Sequence, residues 1–101
     1  MTVAFDEVME SINLAVGRVE ADTGASPVLV AVVREFGAKL AKAEGQAVDG
    51  VPGGDSVIEL EQAGDSAKAA VEADTGVAEA TRQAVLDAHL VICIAKAKLE
   101  R

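Results

Sequence analysis

The chain has 101 residues, enough for one domain with one modest core. Half of its residues are apolar but only 2% are aromatic, so the core must be built from Ala, Val, Leu and Ile, with Phe5 and Phe36 the only rings. The 17 acidic residues outweigh the 9 basic ones by a net charge of −8. That argues against a phosphate-backbone binder and disfavours docking on anionic lipid, so neither nucleic acid nor membrane is expected as a partner.

The first predicted helix spans about residues 2–22. Phe5, Val8, Ile12, Ala15 and Val19 step by three and four along one face, with Asp6, Glu7, Glu10 and Asn13 largely off it. Gly17 weakens its interior, and Gly24 is expected to end it in the left-handed conformation. The second helix starts at Ser26-Pro27, a capping side chain followed by the residue best suited to a first helical position. Its stripe is Leu29, Val33, Phe36, Leu40 and Ala43, ending near Glu44. Its first turns, Val28 to Val33, are apolar on every side, as expected of a helix covered by its own bundle or by another chain.

Residues 45–55 read as a linker, with Gly45, Gly50, Gly53, Gly54 and Pro52. Its Gly-rich end lacks the lysine of a phosphate-binding loop and carries Asp55 instead. Ser56 and Glu59 have the spacing of a capping box for the third helix, which is expected to run to about Asp74 on Val57, Leu60, Gly64, Ala67 and Val71. The fourth helix is expected from about Val77 to Leu99. One stripe holds Ala78, Thr81, Val85, Ala88, Ile92, Ala95 and Leu99. A second, Leu86, Leu90, Cys93 and Ala97, lies beside it. Lys96, Lys98 and Arg101 favour the negative end of the helix dipole.

The fold class is therefore all-α: an antiparallel four-helix bundle from two tandem helical hairpins, residues 2–44 and 56–101. A third and fourth segment fused into one bent helix is the alternative, since no proline separates them. The surplus apolar residues Val28, Val30, Val32, Leu86, Leu90, Val91 and Ile94 are the candidate interface of a homo-oligomer, most simply a dimer. A helical interaction or scaffolding module is the functional expectation, with its further protein partner unidentified.

One phrase occurs twice. Val19-Glu20-Ala21-Asp22-Thr23-Gly24 recurs as Val71-Glu72-Ala73-Asp74-Thr75-Gly76, an offset of 52 residues that places one copy in each hairpin. Asp22-Thr23-Gly24-Ala25-Ser26 resembles the catalytic loop of retropepsin-type aspartic proteases. The resemblance covers about five residues. It implies paired carboxylates sharing a proton to activate water, with Asp22 as the catalytic residue, in loops that hang between β-strands. Here both flanks carry helical periodicity, and in a helical hairpin Asp, Thr and Gly suit a turn without catalysis.

His89 is the only histidine. A lone histidine on a helical bundle is the phosphate acceptor in the phosphotransfer domains of two-component signalling, which makes His89 a second candidate. The run His89-Leu90-Val91-Ile92-Cys93 is apolar, however, and favours a partly buried structural ring. No cofactor or metal is expected. The residue three before His89 is Leu86 rather than Glu, and one His with one Cys makes no zinc set. Cys93, the single cysteine, permits no internal disulfide and reads as a small core residue in a reducing compartment. The acidic start, Met1 to Glu7, is unlike a signal peptide, and the longest apolar runs, Val28–Val33 and Leu90–Ala95, are six residues each. A bilayer span needs roughly 20, so a soluble cytoplasmic protein is expected.

Overall fold

The computed structural model describes residues 5–48 and 52–99, except for the side chains of Lys98 and Leu99. Four helices follow one another: α1 (Phe5–Ala21), α2 (Pro27–Gln46), α3 (Gly54–Ala73) and α4 (Glu79–Leu99). No β-strand forms among the described residues. Each helix packs on its two neighbours around a square, α1 on α2 and α4, and α3 on α2 and α4, while α1 and α3, and α2 and α4, lie across the diagonals. The molecule measures 39 × 22 × 18 Å, about one helix length by two helix widths. Residues 74–78 separate α3 from α4, so the fused helix does not occur.

The expected stripes supply most of the core, but Ala78 is exposed, Phe5 is only partly buried, and the second α4 stripe of Leu86, Leu90, Cys93 and Ala97 lies outside it. Val8, Ile12, Ala15 and Val19 of α1 are buried, as are Leu29, Val33, Phe36, Leu40 and Ala43 of α2. Val57, Leu60, Gly64, Ala67 and Val71 of α3 are buried with them, and so are Thr81, Val85, Ala88 and Ile92 of α4. Ala95 packs against this cluster at its edge. Shifting the α1 set by 52 residues lands on Leu60, Gly64, Ala67 and Val71, and shifting the α2 set lands on Thr81, Val85, Ala88, Ile92 and Ala95. The repeat therefore extends beyond six letters: both hairpins use equivalent positions as core.

Side-chain size is traded within that equivalence. Phe36, large and fully buried, lies over Gly64, where an added Cβ would sit 3.3 Å from the ring's Cζ. The equivalent positions carry the reverse pairing of sizes, Ala88 and Ile12. The bulky member of each pair comes from the first hairpin, Phe36 on α2 and Ile12 on α1, which suits a close-packed interior.

Three local expectations are corrected. Ser56 does not cap α3; the cap position is Gly53, without a side-chain bond, and Ser56 lies inside the helix. Its hydroxyl donates instead to Gln46 Oε1 at the end of α2, 3.1 Å away. Glu59 is held by Lys39 and Lys42 of α2, at 3.1 and 3.0 Å, so cross-helix lysines win over the helix's own terminus. Neither Gly24 nor Gly76 has a φ in the left-handed region, so neither is a left-handed stop. The expected linker is shorter, because α2 continues to Gln46 and α3 begins at Gly54; residues 49–51 of it lie outside the described residues, as do residues 2–4 and 100–101 of the expected hairpins. Ser26 does cap α2: its Oγ accepts from the Leu29 amide at 3.2 Å.

Candidate functional site

The two Asp-Thr-Gly segments meet at one end of the bundle. A Cβ added at Gly24 would collide with the carbonyl oxygen of Gly76 and lie 2.8 Å from its carbon. One added at Gly76 would lie 2.5 Å from the Gly24 oxygen. Glycine is required here by the approach of two backbones rather than by its dihedral freedom.

Each aspartate ends its own helix and begins the opposite hairpin's second one. At Asp74 the backbone leaves the helical region (φ −90°, ψ 112°) while its N–H still bonds Val71 O at 3.3 Å. The side chain then turns on its own loop, Oδ1 accepting from the Gly76 amide at 2.8 Å. Oδ2 reaches across the bundle and accepts from the Ser26 amide, also at 2.8 Å, just ahead of α2. Asp22 repeats this geometry: Oδ1 accepts from Gly24 at 2.8 Å, and Oδ2 from Ala78, just ahead of α4, at 2.9 Å. Carboxylates at helix N-termini satisfy orphan amides and face the positive end of the dipole.

The electrostatics follow from those donors. The Thr81 hydroxyl first, then the Ala78 and Gly24 amides, hold the Asp22 carboxyl below the ordinary aspartate range. The Ser26 and Gly76 amides, with lesser help from the Ser26 hydroxyl and the Val77 amide, do the same for Asp74. A proton-sharing protease dyad needs one carboxyl raised. Here both are lowered, and both oxygens of each accept backbone N–H groups. The strands that the protease resemblance implies are replaced by α1 to α4 on either side of each loop.

Arg82 completes this end. Its guanidinium donates to Val71 O at 2.7 Å and Asp74 O at 2.9 Å, covering carbonyls that the end of α3 leaves open. Position 30, its equivalent in the first hairpin, is Val, so sequence comparison of the halves does not reveal this role.

His89 lies on the α3–α4 face with its side chain 18% exposed. Its Nε2 is 2.6 Å from Asp65 Oδ1. With its proton on Nε2 the ring donates to this carboxylate. Cys93 Sγ sits 3.5 Å from the same Nε2 and 4.0 Å from Nδ1. Burial pushes the Cys93 thiol up, with Glu61 and Asp65 adding to it, so the thiol is not primed as a nucleophile. Among the described residues no group of three or more His, Cys, Asp or Glu is placed to hold a metal.

The candidate interface residues divide into two kinds. Val30, Val32, Leu86 and Val91 are half-buried and pack against the bundle's own core. Val28 (67% exposed), Leu90 (56%) and Ile94 (40%) remain outside it. Val28 stands on α2, diagonally opposite α4, so a patch joining it to Leu90 would have to cross α1 or α3. Leu14, Val48 and Ile58 are exposed as well; none belongs to an all-round apolar run, so no sequence pattern singles them out. No helix among the described residues is long and apolar enough to cross a membrane. Comparison with protein-family models, with curated proteins and with solved structures finds no match for this chain.

Proposed function

We propose that the chain is a small helical protein–protein interaction module that self-associates as a homodimer through the outer stripe of α4. The observation that carries this reading is the exposure of Leu90 (56%) and Ile94 (40%) on successive turns, with half-buried Leu86 one turn before them. Burying apolar surface contributes roughly 25 cal/mol per Å². A second copy brings the same stripe, as a twofold interface requires. The lone thiol at Cys93 fits a reducing, cytoplasmic setting.

The test is Leu90→Glu combined with Ile94→Glu, followed by sedimentation. The variant is expected to be monomeric, with association weakened about 100-fold or more. Val28→Glu, on the far corner, is expected to leave the dimer intact. A doubly charged variant that still dimerises as the parent does would overturn the assignment of this stripe.

A further inference from the structure

We propose that the paired Asp-Thr-Gly loops form an acid-released latch between the two hairpins, in which Asp22 and Asp74 each clasp the amide just ahead of the opposite hairpin's second helix. Protonation loosens this end of the bundle while the core below it stays folded. The inference is independent of the dimer.

Three observations carry it. The clasps are reciprocal: Asp22 Oδ2 takes the Ala78 amide and Asp74 Oδ2 takes the Ser26 amide, each across the hairpin boundary. The loop backbones touch at Gly24 and Gly76, so the two clasps share one contact. Apart from the loop residues Val77, which is buried, and Ala25, which packs against the core, the core members next to this end are Val19, Leu29 and Val71. At this end the cross-hairpin side-chain bonds described are therefore made by carboxylates.

The other charged groups around the loops do not substitute for them. From α4, Arg82 donates to backbone carbonyls and lies 3.7 Å from Glu79, so its bonds hold the end of α3 whatever the state of the aspartates. From α1 and α2, Glu20 is paired with Arg34 at 2.9 Å. From α3, Glu72 is paired with Lys68 at 3.7 Å. A protonated Asp keeps one acceptor and loses its charge, so a charge-assisted bond becomes an ordinary one and a second is lost. Both carboxyls lie below the ordinary value in the folded chain. Their contribution is thus complete above the unfolded aspartate value of about 3.9 and is lost as pH falls through the lower folded values.

Amide NMR of the full chain from pH 6 down to pH 2 tests this. The Ser26 and Ala78 amides are expected to shift with midpoints below about 3.9. They should lose about tenfold in exchange protection, after correction for intrinsic rates, while Ile12 and Leu40 stay protected. Asp22→Asn alone should free Ala78 and leave Ser26 clasped at pH 6; adding Asp74→Asn should free both and abolish the titration. The latch is refuted if Ser26 and Ala78 open only together with Ile12 and Leu40. It is equally refuted if their midpoints lie at or above the ordinary value, or if Asp22→Asn leaves Ala78 protected.

Discussion

The exchange of sizes between the two halves yields a sharp test at Phe36 and Gly64. A Cβ at Gly64 would lie 3.3 Å from Phe36 Cζ and 3.4 Å from both His89 Cδ2 and Ile92 Cγ2, so even alanine fills the available space. Gly64→Ile, which copies Ile12, drives further atoms into that layer and should cost about 1–3 kcal/mol as overpacking. Phe36→Ala, which copies Ala88, empties a fully buried position and should cost about 3–5 kcal/mol. Combined, the two substitutions give the α2–α3 pair the sizes that the equivalent positions on α4 and α1 carry, and the isoleucine occupies the space the ring vacates. The double variant should therefore be more stable than the sum of the single effects by roughly 2 kcal/mol, within the range of coupling between touching residues. The chain has no Trp and no Tyr, so urea unfolding is best followed by far-UV circular dichroism, at one fixed chain concentration because dimerisation would add to apparent stability. Additivity within about 0.5 kcal/mol would refute the size-exchange account of the core.

Other consequences can be checked on the same footing. Gly24→Ala should destabilise by about 1–3 kcal/mol because its Cβ cannot share the space of the Gly76 carbonyl. Gly17→Ala, where an added Cβ meets nothing within 4 Å, should stabilise by about 0.5–1 kcal/mol. The reverse order of these two in thermal unfolding would contradict the loop contact. Cys93, its thiol pushed up by burial, should react with a thiol-specific reagent at neutral pH more slowly than in the denatured chain, and equal rates would contradict its placement. With a net charge of −8 on each copy, added salt should strengthen the homodimer by screening repulsion, and weakening with salt would argue for an interface held by ion pairs instead.

The helix faces were legible because burial follows a 3.6-residue period closely. Leu29, Val33, Phe36, Leu40 and Ala43 can be read straight from their spacing, and Ser26-Pro27 marks its helix start unaided. Readings failed where a distant partner competed with a local rule. Ser56 and Glu59 have capping-box spacing, yet Gln46, Lys39 and Lys42 of the neighbouring helix take their side chains. Gly24 and Gly76 stood out as turn glycines for a local reason, while the actual one is the other loop's backbone. The repeated Asp-Thr-Gly was visible at once, but its reciprocity was not, because nothing within one copy says that Asp22 binds residue 78 and Asp74 binds residue 26. A doubled acidic turn just ahead of each hairpin's second helix is the available signal, and it reads as a local turn beside a catalytic resemblance, not as capping across the repeat. Of the expected interface, hydrophobicity could not separate Val30 and Val91, which the bundle uses itself, from Leu90 and Ile94, which it leaves outside.

The sedimentation mass of the unaltered chain across micromolar concentrations bears most directly on the proposed role. Each chain weighs 10.3 kDa. The account predicts a species of twice that mass whose share grows with concentration, and a single-chain mass throughout the range would contradict it.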